Sequence, residues 1–185
     1  MKRSYRFWLL CTLVLLAAMS RWLPHPPNFT PLMAIALFSG TLFGSWYWAL
    51  AAPLLAMFIS DLGLGFHNQM WSVYLSLGVA VAVGRWVGGK GEVLSALAKR
   101  LPVGILSSSM IFFVFTNLSV WAFSGMYPIN GFGLVECYAM AIPFFHAEVL
   151  GNLFYSGLLF GTWAVIRRWA PNEWTAVVRG KRMDY

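Results

Sequence analysis

Apolar residues fall into six runs along the chain, and short segments rich in polar residues, proline or glycine separate them. A helix needs about 20 mostly apolar residues to cross a bilayer, and several runs approach or exceed this length. The alternating pattern of a membrane β-barrel is not seen. We therefore predict an all-α polytopic membrane protein, with one transmembrane domain over residues 1–185. The six transmembrane helices are expected at residues 7–23, 31–45, 46–62, 70–87, 102–124 and 146–168.

Two boundaries in this pattern depend on few residues. Only the small pair Gly44 and Ser45 divides the second span from the third; one helix in their place would need about 32 residues, too many for an ordinary crossing. Thr30 before Pro31 is typical of an N-cap with proline at the first helical position. Residues 125–145 form the longest connection, and their apolar stretch AMAIPFF predicts a short re-entrant or capping helix on the outer side.

The composition agrees with a membrane protein. The chain has 185 residues, of which 59% are hydrophobic and 10% charged, and its mean hydropathy is +0.68. A soluble domain carries roughly 25% charged residues, so this chain has too little polar surface to cover a globule. The two cysteines, Cys11 and Cys137, show no metal-binding spacing and no disulfide framework.

The first apolar run has two interpretations. A charged start followed by FWLLCTLVLLAAM is compatible with a cleavable signal peptide. Arg21 and Trp22, however, stand where a cleavage site requires small residues, which favours a retained first helix.

The distribution of basic residues orients the bundle. Twelve of the thirteen Lys and Arg residues precede the first span, follow the sixth, or lie at the connection between the fourth and fifth. With six spans these three regions share one side, and only Arg21 lies opposite. The positive-inside rule then predicts a multi-pass membrane protein with both termini in the cytoplasm. Attraction to membrane lipid accounts for the net charge of +7, so a nucleic-acid partner is not expected.

The same topology brings ligand-type side chains to the outer end. The three histidines and three of the acidic residues fall in or beside the outer connections: His25, His67, His146, Asp61, Glu136 and Glu148. Polar groups at helix ends in a membrane are costly unless they are paired or used. We expect an outward-facing pocket there. The segment His25-Pro26-Pro27-Asn28 would form a stiff loop over it, because prolines fix φ.

Three polar residues each allow two roles. Asp61 either caps the backbone after it, around Gly63 and Gly65, or meets a ligand or cation. Asn117 either bonds across helices or lines a cavity together with Thr116. Glu148 either pairs with Arg21, the favoured reading, or belongs to the pocket.

A set of motifs resembles a known family of transport proteins. The stretches HPPNFTP, SDLGLGFH, VYLS, TNLSVW, GMYP and AIPFF are similar to a bacterial family of transport proteins, itself uncharacterised, that is related to the S components of energy-coupling-factor (ECF) transporters. Cobalamin-uptake S components are also similar. The likeness covers roughly residues 20–160. It implies an S-component-like six-helix bundle whose ligand sits under the loops after helices one, three and five.

The candidate ligand-binding residues come from both arguments. The resemblance implies His25, Asp61, His67 and Tyr74. Four further residues are candidates because of their predicted position near the outer end or within a membrane span. They are Asn28, Asn117, Tyr127 and His146.

We expect a substrate-binding membrane subunit for uptake of a small organic ligand, such as the vitamin cobalamin. No G-x-x-x-x-G-K-[ST] motif occurs, so ATP-driven transport would need a coupling subunit and ATPases on other chains. Two alternatives are a divalent-metal permease that uses His25, Asp61, His67 and His146, and an intramembrane enzyme. H-E-x-x-H is absent, and we expect no catalytic residue, no resident metal and no cofactor.

Overall fold

The protein is all-helical. The computed structural model describes residues 2–89 and 94–169, and within these ranges the chain forms six α-helices and no strand. The all-α prediction is confirmed for this part of the chain. The helices are α1 Lys2–Trp22, α2 Leu32–Leu42, α3 Trp46–Leu64, α4 Met70–Gly88, α5 Leu94–Phe123 and α6 Gly131–Trp169.

Four segments are long and apolar enough to cross a membrane: Trp46–Leu64, Met70–Gly88, Leu97–Phe123 and Gly131–Ile166. The remaining two apolar helices, Phe7–Trp22 and Leu32–Leu42, are shorter. The prediction of membrane-crossing helices therefore holds for these four, and α2, with 11 residues, falls below the length that a full crossing requires.

The short helix α2 is the centre of the bundle. It contacts each of the other five helices, and its residues from Leu32 to Gly40 are all buried. A helix that is apolar on every side is stable only when it is covered on every side, which explains why an 11-residue helix can occupy this position. The predicted break at Gly44 and Ser45 is confirmed, since α2 and α3 are separate helices.

Glycines bring α2 and α4 into close contact. A Cβ atom on Gly40 would collide with the carbonyl of Val81, and one on Gly84 would collide with the backbone of Leu37. The Thr41 hydroxyl also donates to the Gly84 carbonyl at 2.9 Å. Small residues at a helix crossing allow this backbone approach.

The predicted capping segment at residues 125–145 is wrong for most of its length. The connection ends at Asn130, whose Oδ1 accepts a hydrogen bond from the Gly133 N–H at 2.9 Å, and α6 then runs without a break for 39 residues. Pro143 lies inside this helix. Proline weakens a helix locally but is tolerated in membrane helices, so AMAIPFF belongs to α6 and forms no separate element.

Two smaller predictions need correction. Pro31 itself occupies the N-cap position of α2, where no side chain supplies a capping hydrogen bond, so Thr30 is not the cap. Helix α5 also begins earlier than predicted, with Pro102 inside it.

Several of the Lys and Arg residues that were used to orient the bundle lie outside the described residues. The described ones agree with a single basic end of the bundle. Lys90, Arg179, Lys181 and Arg182 are outside, as are the side chains of Lys2, Arg3, Arg6 and Arg167. The Arg85 guanidinium donates to the Phe43 carbonyl at 3.1 Å and stacks on Trp46. These contacts place Arg85 where α2 ends and α3 begins.

The glycine contact between α2 and α4 predicts a contrast between two substitutions in α4. Gly84→Ala forces a methyl group against backbone and should destabilise the fold by about 1–3 kcal/mol. Gly78→Ala is the matched control, because nothing lies within 4 Å of the added Cβ and alanine is the better helix former by about 1 kcal/mol. Unfolding of the purified variants in detergent measures both, and equal stability of the two would contradict the close contact.

Candidate functional site

A cavity of about 340 Å³ opens at the end of the bundle where α1 and α3 finish and α2 and α4 start. All six helices contribute to its wall. Two connections, residues 23–31 and 65–69, contribute as well. The lining residues are Arg21, Asn28, Thr30, Leu32, Met33, Met57, His67, Gln69, Ser72, Val73, Leu77, Phe112, Phe113, Thr116, Asn117, Val120, Phe144, Phe145 and Glu148. Its size and mixed lining are typical of small-molecule sites.

The proline-rich connection after α1 forms one wall of the cavity and is anchored to α6. The Phe29 ring packs against Phe154 and Tyr155, with ring centroids 5.9 and 5.6 Å away. Gly151 leaves room for this approach, since an added Cβ would lie 3.1 Å from the Phe29 Cα. Asn28 has a positive φ of 64°, a conformation that asparagine tolerates better than most residues. The loop therefore holds Asn28 and Thr30 in the cavity wall.

An ion pair joins α1 to α3 beside the cavity. The Arg21 guanidinium lies 2.5 Å from Asp61 Oδ1 and also donates to the Ser60 hydroxyl. The Tyr74 hydroxyl of α4 donates to Asp61 Oδ2 at 3.1 Å. Asp61 is almost fully buried. Of its two predicted roles, capping is wrong, because the carboxylate meets the protein's own cation and a tyrosine.

Glu148 of α6 is buried in the cavity wall without a partner. Its exposed fraction is 4%, and neither carboxyl oxygen has a hydrogen-bond partner among the described residues. Ser109 lies near this carboxyl but does not meet hydrogen-bond geometry. The predicted pairing of Glu148 with Arg21 is wrong, since Arg21 binds Asp61 instead. A buried carboxyl without a partner is costly.

One turn further along α6, the polar groups are satisfied. The Asn152 amide donates to the hydroxyls of Ser108 and Ser109, each at 3.0 Å, and accepts from Ser156 at 3.3 Å. Such bonds between membrane helices stabilise their packing. Among the described residues, the buried polar side chains left without a partner are Glu148 and the Ser119 hydroxyl of α5, and Glu148 is the one that lines the cavity.

Aromatic rings form the wall on the α5 and α6 side. The rings of Phe113 and Phe145 lie 4.7 Å apart between centroids, and Tyr138 packs on Phe113 at 5.4 Å. Phe112 and Phe144 also line the cavity. This wall offers flat apolar surface, and ring faces attract cations.

The structure separates the eight predicted site residues into three groups. Asn28, His67 and Asn117 line the cavity. Asp61 and Tyr74 lie behind it, hydrogen-bonded to each other and, through Asp61, to Arg21.

The other three predicted residues, His25, Tyr127 and His146, are not part of the wall. His25 is exposed, and its Nδ1 lies 2.7 Å from the Leu23 carbonyl oxygen; His146 is exposed as well. Within the described part of the chain no group of three metal-ligating side chains occurs.

Asn117 takes the second of its two predicted roles. Its amide donates to the Phe113 carbonyl one turn earlier in α5, at 2.8 Å, so the expected side-chain bond to another helix is not the one formed. Thr116 similarly donates to the Phe112 carbonyl at 2.7 Å. Both residues line the cavity together.

The reading of the sequence did not place Arg21, Gln69 and the four phenylalanines in the wall. The sequence contained an indication for Arg21 and another for the phenylalanines. Arg21 is the one basic residue away from the basic end, and the phenylalanines occur as two adjacent pairs, at 112–113 and 144–145. A charge at the end of an apolar run marks a functional or paired position.

The chain matches the model of a protein family. The model of a family of unknown function, DUF6580, matches residues 1–173. Comparisons with curated proteins and with solved structures give no match.

The Arg21–Asp61 pair predicts a graded response to two substitutions. Asp61→Asn leaves a guanidinium without its counter-charge and should cost about 3 kcal/mol of folding stability, the low end for buried pairs because Arg21 keeps 16% of its side chain exposed. Tyr74→Phe removes one hydrogen bond to a charged group, worth about 1.5 kcal/mol or more. Denaturant unfolding of both variants gives the order. An Asp61→Asn protein as stable as the parent would show that the ion pair does not hold α1 in place.

Proposed function

We propose that this chain, which belongs to the DUF6580 family of unknown function, is a membrane-embedded substrate-binding protein for uptake of a small organic molecule. The cavity of about 340 Å³ is the observation that carries the proposal. It combines buried charge, amides and aromatic rings, and the helices around it include four that could cross a membrane. A site of this kind can bind a small organic molecule by shape and by a few polar contacts.

The resemblance to ECF S components supports the same function. In that family the ligand lies beneath the loops after helices one, three and five. Residues of the first two connections line the cavity here, whereas the connection after α5 contributes none of the lining residues. We propose an S-component-like subunit in a bacterial cytoplasmic membrane. Its energy would come from a coupling subunit and ATPases on other chains, and its ligand would be an organic compound smaller than cobalamin, which a cavity of about 340 Å³ does not hold.

The direction of transport follows from charge. The cavity lies at the end of the bundle opposite Arg85 and Arg100, which stack on Trp46 and Trp86 at the basic end. Basic residues favour the cytoplasmic side. The cavity would then open to the outside and collect substrate for import.

No observation favours the two alternatives. A metal permease would need its ligands in one place, and the described residues hold no such group. An intramembrane enzyme would need a nucleophile beside a base. Ser108 and Ser109 accept hydrogen bonds from Asn152, a packing role between α5 and α6, and Ser109 does not meet hydrogen-bond geometry with Glu148, the carboxyl near it.

The proposal predicts that a small organic molecule co-purifies with the full chain. Native mass spectrometry of the protein, released from detergent, should show a stoichiometric adduct of a few hundred daltons or more. Elemental analysis of the same sample separates this result from a metal permease, which would carry a stoichiometric metal without an organic adduct. Absence of both, together with no substrate uptake, would contradict the function.

Two tryptophan substitutions in α5 test whether the cavity holds that molecule. Val120→Trp fills part of the cavity and should abolish the adduct. Leu118→Trp is the matched control, because Leu118 is 42% exposed on the outside of the same helix and does not line the cavity. Overpacking should cost about 1–3 kcal/mol in stability, so both variants are checked for folding. An adduct retained in folded Val120→Trp would place the binding site elsewhere.

A further inference from the structure

We infer that the ligand carries a positively charged nitrogen, and that Glu148 is the counter-charge that holds it. This inference rests on the proposed function and adds the chemical class of the substrate. It follows from three features of the cavity: an orphaned carboxyl, the charge that remains once the protein's own ion pair is counted, and the arrangement of aromatic rings beside that carboxyl.

The first feature is the free-energy cost of burying the Glu148 carboxyl without a hydrogen-bond partner among the described residues. The residue is 96% buried, and the described part of the chain offers neither oxygen a hydrogen bond. A polar side chain close to Glu148 does have partners, since the Asn152 amide, one turn away on α6, donates to the hydroxyls of Ser108 and Ser109 on α5. An ionised carboxyl accepts hydrogen bonds and donates none. A ligand that completes this site therefore brings a donor.

The second feature is the balance of charge. The lining of the cavity includes one arginine, Arg21, and one glutamate, Glu148. The charge of Arg21 is already neutralised by Asp61 at 2.5 Å, so it does not offset Glu148. The other polar lining residues are amides, hydroxyls and His67, which is exposed. When Glu148 is ionised, its charge of −1 therefore has no counter-charge within the described wall, which favours a cation and disfavours an anion.

The third feature is the position of the aromatic rings. Phe144 and Phe145 stand four and three residues before Glu148 on α6, so all three residues lie on one helix face. The Phe113 ring of α5 lies against Phe145 at 4.7 Å between centroids. A carboxylate next to ring faces is a favourable site for an organic cation, since the rings attract its charge and cover its apolar part.

Two further side chains agree with this chemistry. Thr116 and Asn117 use their donors on carbonyls of their own helix. Their side-chain oxygens can still accept, and both line the cavity. These groups match the N–H donors of a protonated amine or a cationic nitrogen heterocycle.

Three probes that share an indole ring test the charge preference. Tryptamine carries a positive charge at neutral pH, tryptophol is neutral, and indole-3-acetate is negative. Isothermal titration calorimetry of the full chain in nanodiscs should show tryptamine binding at least about tenfold more tightly than tryptophol, and indole-3-acetate binding more weakly than both. Weaker or equal binding of tryptamine, or no binding of any probe, would overturn the inference.

Two glutamate variants assign the preference. Glu148→Gln keeps the shape and removes the charge, so the ratio of tryptamine to tryptophol affinity should fall close to one. Glu136→Gln is the control, because Glu136 is exposed on the same helix and the ratio should stay as in the parent. If the parent shows the preference and Glu148→Gln keeps it in full, the counter-charge is not Glu148 and the inference fails.

The identity of the co-purified molecule separates this inference from the proposed function. A neutral or anionic adduct that Val120→Trp abolishes would leave the function intact and overturn the cationic class. A cationic adduct that Glu148→Gln loses supports both. Absence of any adduct, with no uptake, would be a failure of the function itself.

Discussion

The ion pair between Arg21 and Asp61 holds the end of α1 against α3, and the shape of the cavity depends on this contact. Asp61 is nearly fully buried, and Tyr74 of α4 binds its second oxygen. Three helices thereby meet at one carboxylate. A buried charge requires a partner. Arg21 of α1 and Tyr74 of α4 must therefore both face Asp61 of α3, which constrains the axial position and the rotation of these three helices. The pair also neutralises the positive charge of Arg21, and Glu148, elsewhere in the cavity wall, has no hydrogen-bond partner among the described residues.

The central helix α2 explains how a cavity can exist in so small a bundle. At about 1.5 Å per residue, its 11 residues do not reach the length of the neighbouring helices. Glycines at the crossing allow α4 to pack closely against α2, and the Ser39 hydroxyl donates to the Ala49 carbonyl of α3 at 2.8 Å. The core is therefore tight around α2, and the space beyond its first residues, Leu32 and Met33, becomes the cavity. The stiff connection from α1 crosses this space and is fastened to α6 by Phe29.

The two acidic residues of the cavity region illustrate how environment assigns a role. Asp61 and Glu148 are both carboxylates buried at one end of the bundle. Asp61 is saturated by a guanidinium and a phenol, which makes it structural. Glu148 lines the cavity together with four phenylalanines and meets no donor in the part of the chain that the structure describes, which makes it available to a ligand. The difference between them is one of neighbours, and the residue type alone does not reveal it.

Patterns along the chain were enough to predict the all-helical class, the positions of α2, α3 and α4, the break at Gly44 and Ser45, and the end of the bundle where polar side chains gather. These features are local, because they depend on runs of apolar residues and on the spacing of charges along the chain. Packing between helices set the partner of Arg21, the isolation of Glu148, the exclusion of His25 and His146 from the wall, and the continuity of α6. Arg21 and Asp61 are 40 residues apart, and whether such residues meet depends on how each helix is rotated. That rotation is set by packing between helices, such as the glycine contact of α2 with α4, which no single segment encodes.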